Sequence, residues 1–253
     1  MQIIFHESFH DSSYAVDNAA APGRLEGVME ALRGDGRFPV MEPSPATRTD
    51  LLRAHAEAHV ASIERDPRLF TQASLSAGAA ILASECAMKG EVAFACARPP
   101  GHHANRASCW GHCFFCNIAV ALLKLRDEGH IQSAFVLDFD AHTGDGTLDV
   151  LRDWPEAHVF NPYAEEASEY LRAVETHLRE MPPVDLIAVS AGFDTYIHDV
   201  GHKLSTHDFY ALGRMLRQFG RRLGHQRRFA VLEGGYYIPD LGKNVLAFCR
   251  GFE

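Results

Sequence analysis

Three short stretches of the chain carry side chains that together could hydrolyse an amide: Gly101-His102-His103-Ala104, Asp138-Phe139-Asp140-Ala141-His142-Thr143-Gly144-Asp145, and Ser190-Ala191-Gly192-Phe193-Asp194. They supply two adjacent imidazoles, an Asp-x-Asp-x-His run and a lone carboxylate. Asp140 and His142 follow an apolar run directly, and on an extended segment side chains i and i+2 project to the same side. One carboxylate and one imidazole can therefore grip the same divalent ion, with Asp194 as a third ligand. Three protein ligands leave a position open for water and a substrate carbonyl, which separates a catalytic zinc from a closed structural one. Such an ion polarises the carbonyl and lowers the pKa of water toward ~7.

Amide hydrolysis also needs a group that takes a proton from water and protonates the departing amine. His102 and His103 are placed for this, after the rigid turn Arg98-Pro99-Pro100-Gly101. A working imidazole needs an acceptor on its other ring nitrogen. Asp138 and Asp145, flanking the ligand run, supply one each. The oxyanion calls for a donor opposite the metal, and Tyr236, after Glu233-Gly234-Gly235, has a hydroxyl on a glycine-loosened loop. Alone, each stretch has an ordinary reading. A His pair or an Asp-x-Asp is a surface loop or a satisfied hydrogen-bond cluster, Gly-Gly-Tyr a turn, and the last Asp a helix cap. Their shared position after apolar runs points to one site.

These residues meet only if the elements before them are neighbours. Apolar runs bounded by turn residues fall at Gln2–Phe5, Phe38–Met41, Val92–Ala97, Ala134–Leu137, His158–Phe160, Leu186–Val189 and Phe229–Leu232. They read as seven strands, near-continuous in hydrophobicity as in a parallel sheet covered on both faces. Helical periodicity covers Arg24–Arg33, Leu75–Met88, Asn117–Glu128, Glu165–Glu180, His207–Leu223 and Leu241–Arg250. Ser205 and Thr206 can cap the fifth of these, with Asp208 in its first turn. Strands alternating with helices predict one α/β domain over residues 1–253, doubly wound around a mainly parallel sheet. In open sheets of this kind, catalytic groups gather at the carboxyl ends of the strands.

The length, 253 residues, suits one such domain with its own core. No apolar run approaches the ~18 residues of a bilayer span. The N-terminal stretch Met1–Asp11 has no basic region or cleavage site, so a cytoplasmic protein with no membrane partner is expected. A net charge of −9 argues against nucleic acid as the main partner and favours a cationic substrate. The six cysteines, at positions 86, 96, 109, 113, 116 and 249, read as reduced thiols. Cys109, Cys113 and Cys116 with His112 suggest a small zinc knot, but the spacing matches no finger and no second ligand pair follows. Buried thiols in a strand-to-helix loop are the preferred reading.

The chain resembles the histone deacetylase superfamily, the zinc-dependent deacetylases that include bacterial acetoin-utilisation proteins and acetylpolyamine amidohydrolases. The resemblance runs through PGRLEGV, LLRAHAEAHVASI, ARPPGHHA, GHCFFCNIAVA, VLDFDAHTGDGT, VSAGFDTY and LEGGYY, and so covers almost the whole chain. It implies an arginase/deacetylase-like three-layer fold with about seven to eight strands. It further implies zinc on Asp140, His142 and Asp194, the catalytic pair His102 and His103, and Tyr236 as oxyanion donor. It ranks the imidazoles too: His103 carries the proton, and His102 is electrostatic and orienting. A monovalent cation, K+ or Na+, is implied on backbone carbonyls near Asp138, Asp140 and His142. An Asp/His/Asp set does not discriminate sharply among divalent ions, so Fe2+ stands beside zinc in the cell.

Three departures from the family pattern stand out. Thr143 occupies the place of a second His, which is not a metal ligand there, so tuning rather than loss is expected. His112 replaces an aromatic that normally walls the acyl-lysine tunnel. The segment after Phe160 lacks a long loop and a short strand, and with them the second wall aromatic. The expectation is an active deacylase with a shallow, open mouth and a weak grip on extended lysine side chains. The lost strand should lie at the sheet edge, where an exposed edge offers a place for a second copy of the chain to pair. The sequence sets no oligomeric state.

The leading reading is thus a zinc-dependent hydrolase that removes acetyl or another short acyl group from an amine: an acyl-lysine, an acylated polyamine or a similar small amide. A manganese ureohydrolase of the related arginase fold needs more bridging carboxylates than SAGFD offers. A catalytically weak sensor that binds an acylated ligand fits the altered walls but not the retained His102, His103 and Tyr236.

Overall fold

The computed structural model describes residues 1–253. All seven predicted strands are present: β1 (Gln2–Ile4), β2 (Val40–Met41), β3 (Ala93–Ala95), β4 (Ala134–Asp138), β5 (Ala157–Phe160), β6 (Leu186–Ala191) and β7 (Arg228–Leu232). They form one sheet in the order β2-β1-β3-β7-β6-β4-β5, and every pairing is parallel. Every residue of β3, β4, β6 and β7 is buried. That requires cover on both faces and explains why these strands carry no alternating polar residues.

Nine helices supply the cover: α1 (Glu26–Asp35), α2 (Arg48–Ala54), α3 (Glu57–Glu64), α4 (Pro67–Met88), α5 (Asn117–Asp127), α6 (Asp145–Leu151), α7 (Ala167–Glu180), α8 (Thr206–Leu223) and α9 (Ile238–Phe252). Helix α4 packs on β1, β3 and β7 with α5 alongside, while α1 and α8 pack against α9 and α7 against α8. Phe248 of α9 meets Phe94 of β3 as well as Phe139 and Phe193, joining that helical layer to the sheet. The capping of α8 is as expected: the Ser205 side chain accepts from the Asp208 amide, and Asp208 accepts from the Ser205 amide.

Two kinds of element departed from the sequence reading. Helix α4 begins at Pro67 rather than Leu75, because Asp66 accepts from the Arg68 and Leu69 amides and Pro67 takes the first helical position. Helices α2, α3 and α6 were not anticipated. Each has seven or eight residues, too few turns for a periodic apolar face to stand out.

Topology decides what can meet. Strands β3, β7, β6 and β4 are consecutive in the sheet, and their carboxyl ends lead into residues 96–103, 233–236, 192–194 and 139–145. The segment after Phe160, expected from the resemblance to be shortened, follows β5, which is an edge strand and is only half buried.

Candidate active site

Asp140 and Asp194 are set by their neighbours. Each follows a phenylalanine committed to the core. Phe139 and Phe193 pack edge to face at 5.6 Å, and both meet Phe209 and Phe248. With those rings buried, the next side chain along each segment turns to the sheet edge. There Asp140 Oδ1 and Asp194 Oδ2 each lie 3.1 Å from His142 Nδ1. The predicted claw therefore forms, though not by alternation along a strand. β4 ends at Asp138, and residues 140–142 form a bend in which the His142 amide donates to Asp140 Oδ1 at 3.0 Å.

The donor set fits a divalent cation. One oxygen, one oxygen and one imidazole nitrogen lie within 4.8 Å of one another. Both carboxylates are buried, yet Asp194 Oδ2 receives no hydrogen bond. A buried oxygen without a donor is costly, and two facing carboxylates repel. Burial and the Asp140 charge push the Asp194 carboxyl up to about 7. The hydrogen bond to Asp140 and the Asp194 carboxylate beside it hold the His142 imidazole up at about 10. A cation on the three atoms relieves both strains. Gly234 completes the cradle: its amide donates to Asp140 Oδ2 at 2.9 Å, and a Cβ there would sit 2.6 Å from that same oxygen.

The two imidazoles lie against one another, with ring centroids 4.0 Å apart and planes tilted by 41°, but their partners differ. His102 Nδ1 lies 3.1 Å from Asp138 Oδ2, and its Nε2 is 3.7 Å from Asp140 Oδ1. Burial opposes its charge, but the Asp140 and Asp138 carboxylates prevail and hold its pKa well above the ordinary value. A cation on Asp140 would cancel part of that support. His103 Nδ1 lies 2.6 Å from Asp145 Oδ1, the first residue of α6. Burial and the neighbouring His102 lower its pKa, which leaves it neutral and able to accept a proton. Burial would raise Asp145, but hydrogen bonds from Trp110, His103 and Asn105 outweigh it and hold the carboxyl low. Both predicted orienting carboxylates are thus in place, one on each ring.

Tyr236 lines a pocket of about 260 Å³ with His103, Trp110, Gly111, His112, His142, Asn18 and Val200. Asp199 accepts from the Tyr236 and Tyr237 amides at 2.6 and 2.7 Å, while Arg24 donates to the Gly235 and Glu233 carbonyls. Burial and the Asp140 charge raise the Tyr236 phenol above its ordinary range, so it remains a hydrogen-bond donor.

The sequence reading did not single out several residues that hold this arrangement. Glu233 accepts from the Gly101 and His102 amides at 2.7 and 3.2 Å and from the Ser190 hydroxyl at 3.2 Å. It ties β3, β6 and β7 together beneath His102. Asp199 and Arg24 carried no local signal, because their partners are backbone groups far along the chain. Trp110 stands beside Gly111 in the sequence, and nothing local marks it as a partner of His103 and Asp145. As preferred from the sequence, Cys109, Cys113, Cys116 and His112 form no ligand cluster; Cys113 and Cys116 are buried thiols, and Cys113 faces His102 and Glu233. Beside His112, Trp110 supplies an aromatic wall to the pocket.

The histone deacetylase domain model matches residues 18–171 and 163–252 of this chain. The chain belongs to the histone deacetylase family. The two matched pieces overlap at residues 163–171, shortly after β5. Among similar proteins is a probable deacetylase of Methanothermobacter thermautotrophicus, 30% identical over 99% of this chain and 90% of that protein. A histone deacetylase-like amidohydrolase of Pseudomonas aeruginosa is 29% identical, with 90% and 75% covered. An acetylpolyamine amidohydrolase of Mycoplana ramosa is also 29% identical, with 85% and 72% covered. The crystal structure of the HDA15 HD domain superposes with a TM-score of 0.87 over 100% of this chain and 90% of that one. At 20% identity, that match speaks to the fold, a single α/β domain of the histone deacetylase kind. As a member of this family the protein is a hydrolytic deacetylase, and the ureohydrolase reading falls away. No helix is long and apolar enough to cross a membrane.

Proposed function

We propose that this histone deacetylase family member removes acetyl or another short acyl group from an amine nitrogen, in a small acylated amine such as an acylated polyamine or in an acyl-lysine. One observation carries the reading. His142 Nδ1 faces both Asp140 and Asp194 at 3.1 Å, on the pocket that His103 and Tyr236 also line. Asp140, His142 and Asp194 would hold zinc or Fe2+; when bound, the ion polarises the acyl carbonyl and acidifies water. His103, neutral and oriented through Nδ1 by Asp145, takes the proton of the attacking water and returns one to the departing amine. Tyr236 donates to the oxygen on which negative charge develops. His102, held by Asp138, supplies positive charge beneath the reacting carbon.

Substrate preference follows from the mouth. Val200 and Trp110 are 56% and 52% exposed, and no lysine or arginine lines the pocket. With a net charge of −9, that mouth favours amines that remain cationic beyond the amide. The test is acyl release from an acetyl-lysine peptide, acetylated polyamines and longer acyl amides, using metal-depleted protein and protein reconstituted with zinc or Fe2+. Turnover restored by metal and highest on the small amines is expected. An acetyl-lysine peptide cleaved far better than the acetylated small amines would overturn the open-mouth reading. No cleavage of any amide after metal is restored would overturn the function.

A further inference from the structure

We infer that Trp110 is a positioning residue for the proton-transferring pair His103–Asp145, and that the turn carrying it is built as a clamp on that pair; this rests on the function proposed above. Ala104 and Cys109 form an antiparallel bridge that doubles the chain back, so that Trp110 lies over His103. The indole and the imidazole have centroids 3.9 Å apart and an interplanar angle of 31°. The same indole donates from Nε1 to Asp145 Oδ2 at 2.9 Å, while His103 Nδ1 engages Oδ1 of that carboxylate at 2.6 Å. One side chain therefore touches both members of the pair, one by its face and one by its edge. Asn105 Nδ2 adds a weaker contact to Asp145 Oδ2 at 3.3 Å.

The backbone beyond Trp110 is shaped for the same end. The Cys113 amide donates to the Trp110 carbonyl at 3.0 Å, closing a turn whose central residues Gly111 and His112 have φ of 57° and 66°. Two consecutive left-handed residues define a type I′ turn, and a histidine in that region is uncommon and strained. Gly111 lies so close to His103 that a Cβ would come within 2.5 Å of Cδ2. The His103 ring is thus enclosed by His102, Trp110 and Gly111, and the residue is 3% exposed although it lines the pocket. Trp110 itself is 52% exposed. Packing against the core does not account for its place; its contacts to His103 and Asp145 do.

Downfield proton NMR on the intact protein tests the clamp without reference to activity. The His103 Nδ1–H signal, assigned by its loss in Asp145→Asn, should move upfield and exchange faster with solvent in Trp110→Phe, and further so in Trp110→Ala. The kinetic arm is a double-mutant cycle. Trp110→Phe, which keeps the ring but removes the N–H donor, should lower kcat about 3- to 10-fold with KM little changed. That is a fraction of the ~10²–10⁴-fold that general acid–base assistance supplies. Trp110→Ala should lower kcat further. In an Asp145→Asn background, Trp110→Phe should cost almost nothing, because its effect passes through that carboxylate. An unchanged NMR signal in both Trp110 variants overturns the proposal whatever the activity. Full additivity in the cycle, or a loss confined to KM, reduces Trp110 to a wall of the pocket and overturns it as well. A wild type that cleaves no amide sinks the proposed function instead and leaves the NMR arm to decide the clamp.

Discussion

His102 and His103 are neighbours in sequence with their rings in contact, yet one belongs to the floor of the site and the other to its rim. The floor is made by strand ends. Asp138 closes β4, Ser190 lies in β6, Glu233 follows β7, and all are buried around His102. The rim is made by a loop and a short helix: Trp110 and Gly111 on one side, and Asp145 at the start of α6 on the other. The Asp138 side chain is fully buried, whereas that of Asp145 is 42% exposed. Charge placed in the floor is held by surrounding carboxylates and changes little with the surface. The proposed proton carrier, His103, sits at the rim, where hydrogen bonds from a loop can tune it. The same residue type thus serves two ends because its surroundings differ.

The comparison can be broken in order of expected effect. Asp194→Ala removes a proposed metal ligand shared by both halves; metal content and acyl release should fall together to background, and turnover with metal absent would dismiss the claw. Tyr236→Phe should retain metal yet lose ~10²–10³-fold in kcat, the range for a lost oxyanion donor; unchanged activity would remove Tyr236 from the reaction. Asp138→Asn and Asp145→Asn each disturb an orienting carboxylate and should each cost ~10–100-fold in activity. Only the buried Asp138→Asn should also lower Tm markedly, because it places an amide NH2 donor where the floor needs an acceptor. Equal Tm losses would erase the floor and rim distinction.

The smallest effect concerns Glu233. Burial pushes its carboxyl up from an ordinary 4.5 to about 7, against the His102 charge that lowers it. A raised carboxyl means the folded state holds the proton that the unfolded chain releases. Between about pH 4.5 and 7, rising pH therefore erodes the stability of the wild type. Metal-free Glu233→Gln should lose that erosion, so urea unfolding of the two proteins should diverge across this window and run parallel above it. Parallel curves throughout would place the group near its ordinary value.

Much of this arrangement was legible in the chain. All seven strands appeared as continuous apolar runs, because a sheet buried on both faces leaves no room for polar alternation. The candidate ligand group and the carboxylates that face the two imidazoles were legible because their chemistry is unusual in so few residues. The three short helices were not, since seven or eight residues give too little periodicity. Nor was the way Asp140 meets His142. Strand alternation predicted the right neighbours for a different reason, while a bend and two anchored phenylalanines bring them together.

Residue types and local pattern by themselves determined the fold class, the strand ends and the inventory of reactive groups, because hydrophobic period and side-chain chemistry are local properties. Only the tertiary structure decided which groups face one another. The order β3-β7-β6-β4 makes distant loops adjacent, the Phe139–Phe193 contact aims two aspartates at one point, and a turn after Cys109 lays Trp110 on His103. The first two join residues far apart in sequence through strand order and packing, and even Trp110 and His103, close in sequence, meet only because the chain doubles back between them.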